Sequence, residues 1–406
     1  MGIRVRAVSN ISMSGIVMAF LLLASMNTIN RYYYFAFIAF AIFLIMPYKM
    51  IKFDLSVVFL FVLALSWDIF SPSAADSVFG PLKPFTYALC YLLGLSFLNS
   101  KTLHEKKEYK SFYVFVSFVA AGPFIHYILN WIKNGNSENR NTIDIWTNSV
   151  MAATGQAALA CIPLGLAIAC LLSRSSKWLK ILSAAVIALI LGYNLVLAGR
   201  TLVALFLIVF AIGVLSLLKA SKGKRLLILA IIIAVVLLLV FVYQSNLFGT
   251  RDFIESSSLY DRFFGDDASM ELDEDGRSGK REYFIANAYR FPLGGAHIRN
   301  EMGYAHDILL DTYDEAGIFA LIAIAAYLVS ALIRLFKCIT NKALPFEFRQ
   351  IVLCVYAVVY IEFFIEPILQ GMPWLFASFC LIDGYVGRVL RIEKAKKREG
   401  DLNASR

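Results

Sequence analysis

The sequence predicts an all-α, polytopic membrane protein with about twelve transmembrane helices and one large loop on the extracytoplasmic side. Three observations lead there. Of 406 residues, 59% are hydrophobic and only 17% charged, with a mean hydropathy of +0.69; a soluble domain carries about a quarter charged residues. Stretches apolar enough to cross a bilayer recur along the whole chain, so the first of them reads as a span and not as a removable signal peptide, and no separate soluble domain is expected. The basic residues, finally, alternate between successive connections.

At about 20 apolar residues per helix, spans fall near 11–29, 33–48, 54–71, 82–98, 112–132, 148–172, 177–198, 201–218, 226–243, 308–336, 349–368 and 372–391. One set of alternate connections holds Arg4 and Arg6, Lys49 and Lys52, Lys101 to Lys110, Arg174 and Lys177, Lys219 to Arg225, then Arg334, Lys337 and Lys342, and the tail from Arg391 to Arg398. The opposite set is sparse: Arg31, Lys83, Lys133, Arg140 and Arg200, besides the long loop. The positive-inside rule puts the first set, and both termini, in the cytoplasm. A miscounted span would break this alternation. The net charge of +9 is therefore a topology signal, and no nucleic-acid partner is expected. The chain divides into about nine N-terminal spans (1–243), the outer loop (244–305), about three C-terminal spans (306–391) and a basic cytoplasmic tail (392–406).

Six cysteines, Cys90, Cys161, Cys170, Cys338, Cys354 and Cys380, all fall in or beside apolar segments without metal-ligand spacing, and read as small core hydrophobes. No Walker loop, dinucleotide glycine fingerprint or nucleophile elbow is present. Acidic residues within spans are few: Asp68, Glu362, Glu366 and Asp383. Ion-coupled transporters carry more at midplane depth, so any chemistry is expected at the outer surface. In the loop, the run from Asp266 to Asp275 is acidic, whereas Glu282 to Arg290 reads as an amphipathic helix with Phe284, Ala288 and Phe291 on one face, ended by Pro292-Leu293-Gly294-Gly295.

Three features on the outer side invite a chemical reading. Arg200 follows Gly199, which is suited to a left-handed helix cap, and stands at headgroup level, where a guanidinium makes a bidentate phosphate partner. Arg277, Lys280 and Arg281 crowd the start of the loop helix against its dipole, which an anion would relieve: either the neighbouring acidic run or a bound pyrophosphate. His306-Asp307 stands nine residues before Gly317 and opens a helix with Asp307, Asp311 and Asp314 in one polar stripe. An imidazole there is a candidate general base. His297 is a weaker candidate. Nothing in these features has the makings of a metal or cofactor site.

Taken together, Gly199 to Thr201 and Arg277 to Ile318 resemble the O-antigen ligase and O-antigen polymerase superfamily of bacterial surface-polysaccharide enzymes. The ligase signature is a histidine, then Asn, Ser or Gln, nine residues and a glycine; here it reads His306, Asp307, nine residues, Gly317, with aspartate as the departure. A family arginine precedes a loop helix that ends in a Pro-Leu-x-Gly-like turn, matching Arg281 or Arg277, and another matches Arg200. The resemblance implies a GT-C-like glycosyltransferase of the bacterial inner membrane with its active site in the periplasm. Its donor would be an undecaprenyl-pyrophosphate-linked glycan and its acceptor lipid A-core or, for a polymerase, a second lipid-linked glycan. Membrane lipids surround it. Arg200, Arg281 and His306 would be catalytic, with Arg277, Lys280, Asp307 and Gly317 contributing to substrate binding. Inversion at the anomeric carbon would proceed without a metal ion or other cofactor. A lipid-linked oligosaccharide flippase is the alternative of another class; such transporters show internal repeats, which are not apparent here.

Overall fold

The computed structural model describes residues 52–72, 82–96, 108–135, 141–173, 175–220, 223, 225–264 and 277–404. The expected spans 11–29 and 33–48 and the acidic run of the loop lie outside the described residues. The described chain is nearly all helix: α1 (Leu55–Phe70), α2 (Leu82–Ser96), α3 (Glu108–Asn134), a hairpin of β1 (Asn141–Ile143) and β2 (Val150–Ala152), α4 (Ala153–Leu172), α5 (Lys177–Leu197), α6 (Arg200–Ala220) and α7 (Arg225–Gln244). Short loop helices follow, α8 (Thr250–Glu255), α9 (Ser258–Phe264), α10 (Arg277–Asn287) and α11 (His297–Met302). The chain then runs through α12 (Ile308–Thr340), α13 (Phe346–Phe363), α14 (Ile368–Gly371) and α15 (Pro373–Ala404).

Among the described residues, five helices are long and apolar enough to cross a membrane, namely α4, α5, α6, α12 and the Phe112–Asn134 part of α3. Two shorter apolar helices, Leu55–Phe70 and Pro84–Ser96, stand beside them. The span expected from residue 148 starts later because Asn141, Thr142 and Ile143 pair antiparallel with Ala152, Met151 and Val150. α15 continues through the basic residues after Leu390 to Ala404.

Packing follows residue size. In α4, 83% of the most apolar window is buried, which makes it the central helix. Its Ala157, Ala158, Ala160, Gly165, Ala167 and Ala169 let α3, α5, α6 and α13 approach closely. Lipid offers no hydrophobic drive between helices, so close backbone contact on small residues holds them. The same logic joins α2 to α15, where a Cβ on Gly94 would collide with the Leu381 carbonyl and one on Gly384 with that of Tyr91.

One cation counted above as a loop charge is not one. Arg334 reaches into the bundle and pairs with fully buried Asp383, Nε donating at 2.7 Å and Nη2 at 2.5 Å, while its Nη1 donates to Ser56 of α1. The Tyr327 and Tyr356 hydroxyls donate to the same carboxylate at 3.0 and 2.6 Å. Four helices, α1, α12, α13 and α15, are thereby tied at one point. Truncating one partner of such a buried pair costs about 3–5 kcal/mol.

Candidate functional site

The site is built around α12 and the loop before it. Asp307 caps α12, its carboxylate accepting from Leu309 N at 2.9 Å and Leu310 N at 3.2 Å. It is a helix cap and makes no described bond to the imidazole. His306 stands outside the helix, not at its first turn, and takes the left-handed conformation with φ +57°. A non-glycine residue there is strained and persists where its surroundings over-determine it. They do so here. Asp311 accepts from Ala305 N at 2.8 Å and Asp307 N at 3.1 Å, gripping both neighbours of His306. Arg281 Nε donates to the Ala305 carbonyl, and its Nη2 donates to the His306 carbonyl at 2.8 Å.

The polar stripe of α12 is thus a brace. Asp314, one turn beyond Asp311, accepts from Ile298 N at 2.9 Å and Arg299 N at 3.0 Å, anchoring α11. The Pro-Leu-Gly-Gly turn docks beside it, Gly295 N donating to Glu315 O and Ala296 N to Asp314 O. Gly317 interrupts α12 at φ +78°, ψ −171°, a region open essentially to glycine alone. A Cβ on Gly317 would stand 2.6 Å from the Leu293 carbonyl carbon, and one on Gly294 would stand 2.6 Å from Gly317 N. The two glycines therefore serve each other: the motif spacing records where the loop turn lies against the broken helix.

Arg281 reaches the His306 carbonyl, and Arg277 reaches Glu366, the carboxylate beside the His306 ring. The loop helix starts at Arg277, earlier than expected, and ends at Asn287, with Ala288–Arg290 in a tighter 3-10 turn. Phe284 is its buried anchor, packed with Ile298 and Ala305. Arg277 donates to Glu366 at 3.2 Å and to the Ile365 carbonyl at 3.2 Å, while Arg281 Nη2 also donates to the Phe364 carbonyl at 2.5 Å. The cations at the helix start are thus met by the turn after α13. Lys280 Nζ lies near Gly303, 3.6 Å from where a Cβ would stand.

Glu366 is the member that sequence reading missed. Its side chain is 1% exposed and it stands 3.4 Å, Oε2 to Nδ1, from His306, itself 23% exposed. The signal available was an in-span acid, but sixty residues of chain separate it from the histidine. One turn earlier, Glu362 is fully buried, and neither of its carboxyl oxygens has a hydrogen-bond partner among the described residues. A second pair, Arg299 with Glu315, was also missed; Ser71, at the end of α1, donates to the same carboxylate at 2.5 Å. The Arg299 guanidinium stands 5.5 Å from the Tyr304 ring centre. His297 stacks on Phe291 at 4.4 Å and lies outside the cluster.

Arg200 arrives by another route. The left-handed cap of α5 is Ala198, not Gly199. Gly199 is needed for room, because a Cβ would collide with the Asn194 side chain, whose amide donates to the Gly199 carbonyl at 2.9 Å. Arg262 of α9 clasps the turn by donating to Ala198 O at 2.7 Å. α6 runs antiparallel to α13, with Gly213 against Gln350 and Cys354. Arg200 opens α6 directly after the Ala198–Gly199 turn.

The cluster holds two guanidiniums, an imidazole and one paired carboxylate, an excess of positive charge at the end of an apolar bundle. A guanidinium has five donors, and the bonds described for Arg281 use Nε and Nη2, which leaves Nη1 for an anion. Among the described residues, no three His, Cys, Asp or Glu side chains gather in a way that could hold a metal ion. No protein-family model matches the chain, and no curated protein matches it.

Proposed function

We propose that this protein is a membrane glycosyltransferase of the O-antigen ligase type. It would move a glycan from undecaprenyl pyrophosphate to an acceptor hydroxyl, on lipid A-core, at the outer face of a bacterial inner membrane. The observation that carries the proposal is the meeting of Arg277, Arg281, Glu366 and a left-handed His306 at one end of an apolar bundle. A lipid pyrophosphate is a leaving group that needs fixed positive charge where negative charge develops, and Arg281, Arg277 and Arg200 supply it. The acceptor oxygen attacks the anomeric carbon opposite the pyrophosphate, whose bridging C–O electron pair leaves with the phosphate, and configuration inverts. The hydroxyl proton passes to Nε2 of His306, whose Nδ1 faces Glu366. The resulting imidazolium is stabilised by that carboxylate and later releases its proton to water.

Asp307 departs from the family pattern, but its work is to cap a helix, which Asn, Ser and Asp all do well. The departure therefore weighs little between ligase and polymerase. The proposed orientation has both termini in the cytoplasm and the cluster in the periplasm, following the positive-inside rule.

Reconstituted protein, given lipid-linked oligosaccharide with and without lipid A-core in the presence of EDTA, tests the reading. Product only with lipid A-core is expected. Longer lipid-linked glycans from the donor alone would mean a polymerase, and donor crossing the bilayer without product would mean a flippase. Arg200→Ala, Arg281→Ala and His306→Ala should each abolish transfer with insertion intact; full activity in all three would sink the site.

A further inference from the structure

At the end of the bundle opposite His306, the C-terminal turns of α6 and α12 and the first turns of α13 enclose a groove of about 730 Å³. Its walls are apolar and open to the lipid: Leu215 is 59% exposed and Phe336 is 67% exposed. Its mouth is cationic. Lys219 comes from α6, Lys342 from the connection between α12 and α13, and Arg349 from α13. Among the described residues, none that lines it is acidic. Arg349 is fixed in place, its Nη1 donating to the Ile339 carbonyl at the end of α12 at 3.2 Å.

Bulk lipid would wet any exposed apolar face, and a scattered basic residue near a headgroup needs no ligand. The arrangement here differs in that three cations from three separate elements meet over one concave apolar slot. A zwitterionic headgroup would leave them without a net countercharge, whereas a phosphodiester of net negative charge answers them, and the slot takes the acyl chain beneath it. We propose that this groove is a binding site for an anionic phospholipid of the leaflet at that end. Basic pockets between helices at a membrane surface bind anionic headgroups in this manner, at a gain of about a factor of five per cation. The lipid would bridge α6, α12 and α13, two of which also carry the His306 cluster's anchors at their far ends.

The test is native mass spectrometry of the full-length detergent-solubilised protein, delipidated and offered equimolar phosphatidylglycerol and phosphatidylcholine. Preferential retention of phosphatidylglycerol is expected. Lys219→Ala and Lys342→Ala, both at exposed positions, should each lower that retention by roughly fivefold and together by about 25-fold, leaving the share that Arg349 holds. Ser216→Trp, which fills the slot without changing charge, should expel lipid of both kinds. Equal retention of the two lipids, or an unchanged preference in the double variant or in Ser216→Trp, would overturn the proposal. Displacement of the bound lipid by inorganic phosphate alone would overturn it too, since the site would then serve a free anion. Retention of neither lipid by the parent protein would mean that another part of the chain fills the groove, and the lipid site would fall with it.

Discussion

Gly317 and Gly303 share nearly the same backbone conformation, φ 78°, ψ −171° and φ 78°, ψ −168°, but not the same neighbours. Among the described residues, a Cβ on Gly303 meets only Lys280 Nζ, at 3.6 Å, whereas one on Gly317 comes within 2.6–2.8 Å of Leu293 and Pro292 backbone atoms. Alanine at either position incurs the dihedral strain, about 1–3 kcal/mol. At Gly317 the Pro-Leu-Gly-Gly turn must also retreat. That endangers three backbone bonds, Gly295 N to Glu315 O, Ala296 N to Asp314 O and Ile318 N to Pro292 O, at about 0.5–1.5 kcal/mol each. Gly317→Ala should therefore cost roughly 2–4 kcal/mol more than Gly303→Ala. The six buried cysteines supply the assay, since a thiol-reactive dye reports their exposure on heating. At about 2–4 °C per kcal/mol or somewhat less for a chain of this size, the two variants should separate by several degrees. Equal melting temperatures would refute the argument that the turn, and not the dihedral alone, demands glycine at Gly317.

Glu366→Gln keeps an oxygen for Arg277 but removes the charge facing His306, so transfer should fall by roughly 100-fold with donor affinity unchanged; an unaltered turnover would remove Glu366 from the mechanism. Asp383→Ala strands Arg334 inside the bundle and should cost about 3–5 kcal/mol in the same thiol assay; no change would mean that the four-helix tie is not holding the bundle. Asp144 concerns the connection between β1 and β2. Burial pushes its carboxyl up, but the ring of His126 at 2.5 Å and the Thr147 backbone and hydroxyl donors outweigh this and hold it well below the usual carboxylate range. A depressed folded-state value stabilises above the unfolded value, about 3.9, and the benefit fades as pH falls below it. Asp144→Asn should thus lower the melting temperature by the same amount from pH 7 to about pH 4, and by less below that. A difference already gone at pH 6 would contradict the assignment.

What could be read in the sequence was whatever repeats locally. Apolar runs located the starts of the long helices from Leu55 onward to within about five residues, though not the end of α15, and the basic and histidine residues of one loop advertised a cluster. What escaped depended on partners brought from afar. Arg334 looked like a loop charge because nothing in its own helix reveals Asp383. Asp311 and Asp314 looked like an active polar stripe, and became braces once the backbone amides of Ala305, Asp307, Ile298 and Arg299 were found against them. Gly199 was read for its conformational freedom, while its neighbour Ala198 takes the left-handed turn and Gly199 supplies space. Glu366 carries no motif of its own. Only the turn after α13 delivers it to His306.

That turn also sets a timetable. Arg277, Arg281 and His306 leave the ribosome within one short stretch of chain, but the carbonyls of Phe364 and Ile365 and the carboxylate of Glu366 follow about sixty residues later, roughly 3–12 s at ordinary elongation rates. Through that interval a nascent chain displays every cation of the cluster, with the Ala305 and His306 carbonyls in place for Arg281 but without the Phe364, Ile365 and Glu366 oxygens. A chain stopped short of Phe364 holds His306 by Asp311 and Arg281 but leaves Arg277 without its acceptors, so the cluster closes only with the last helices.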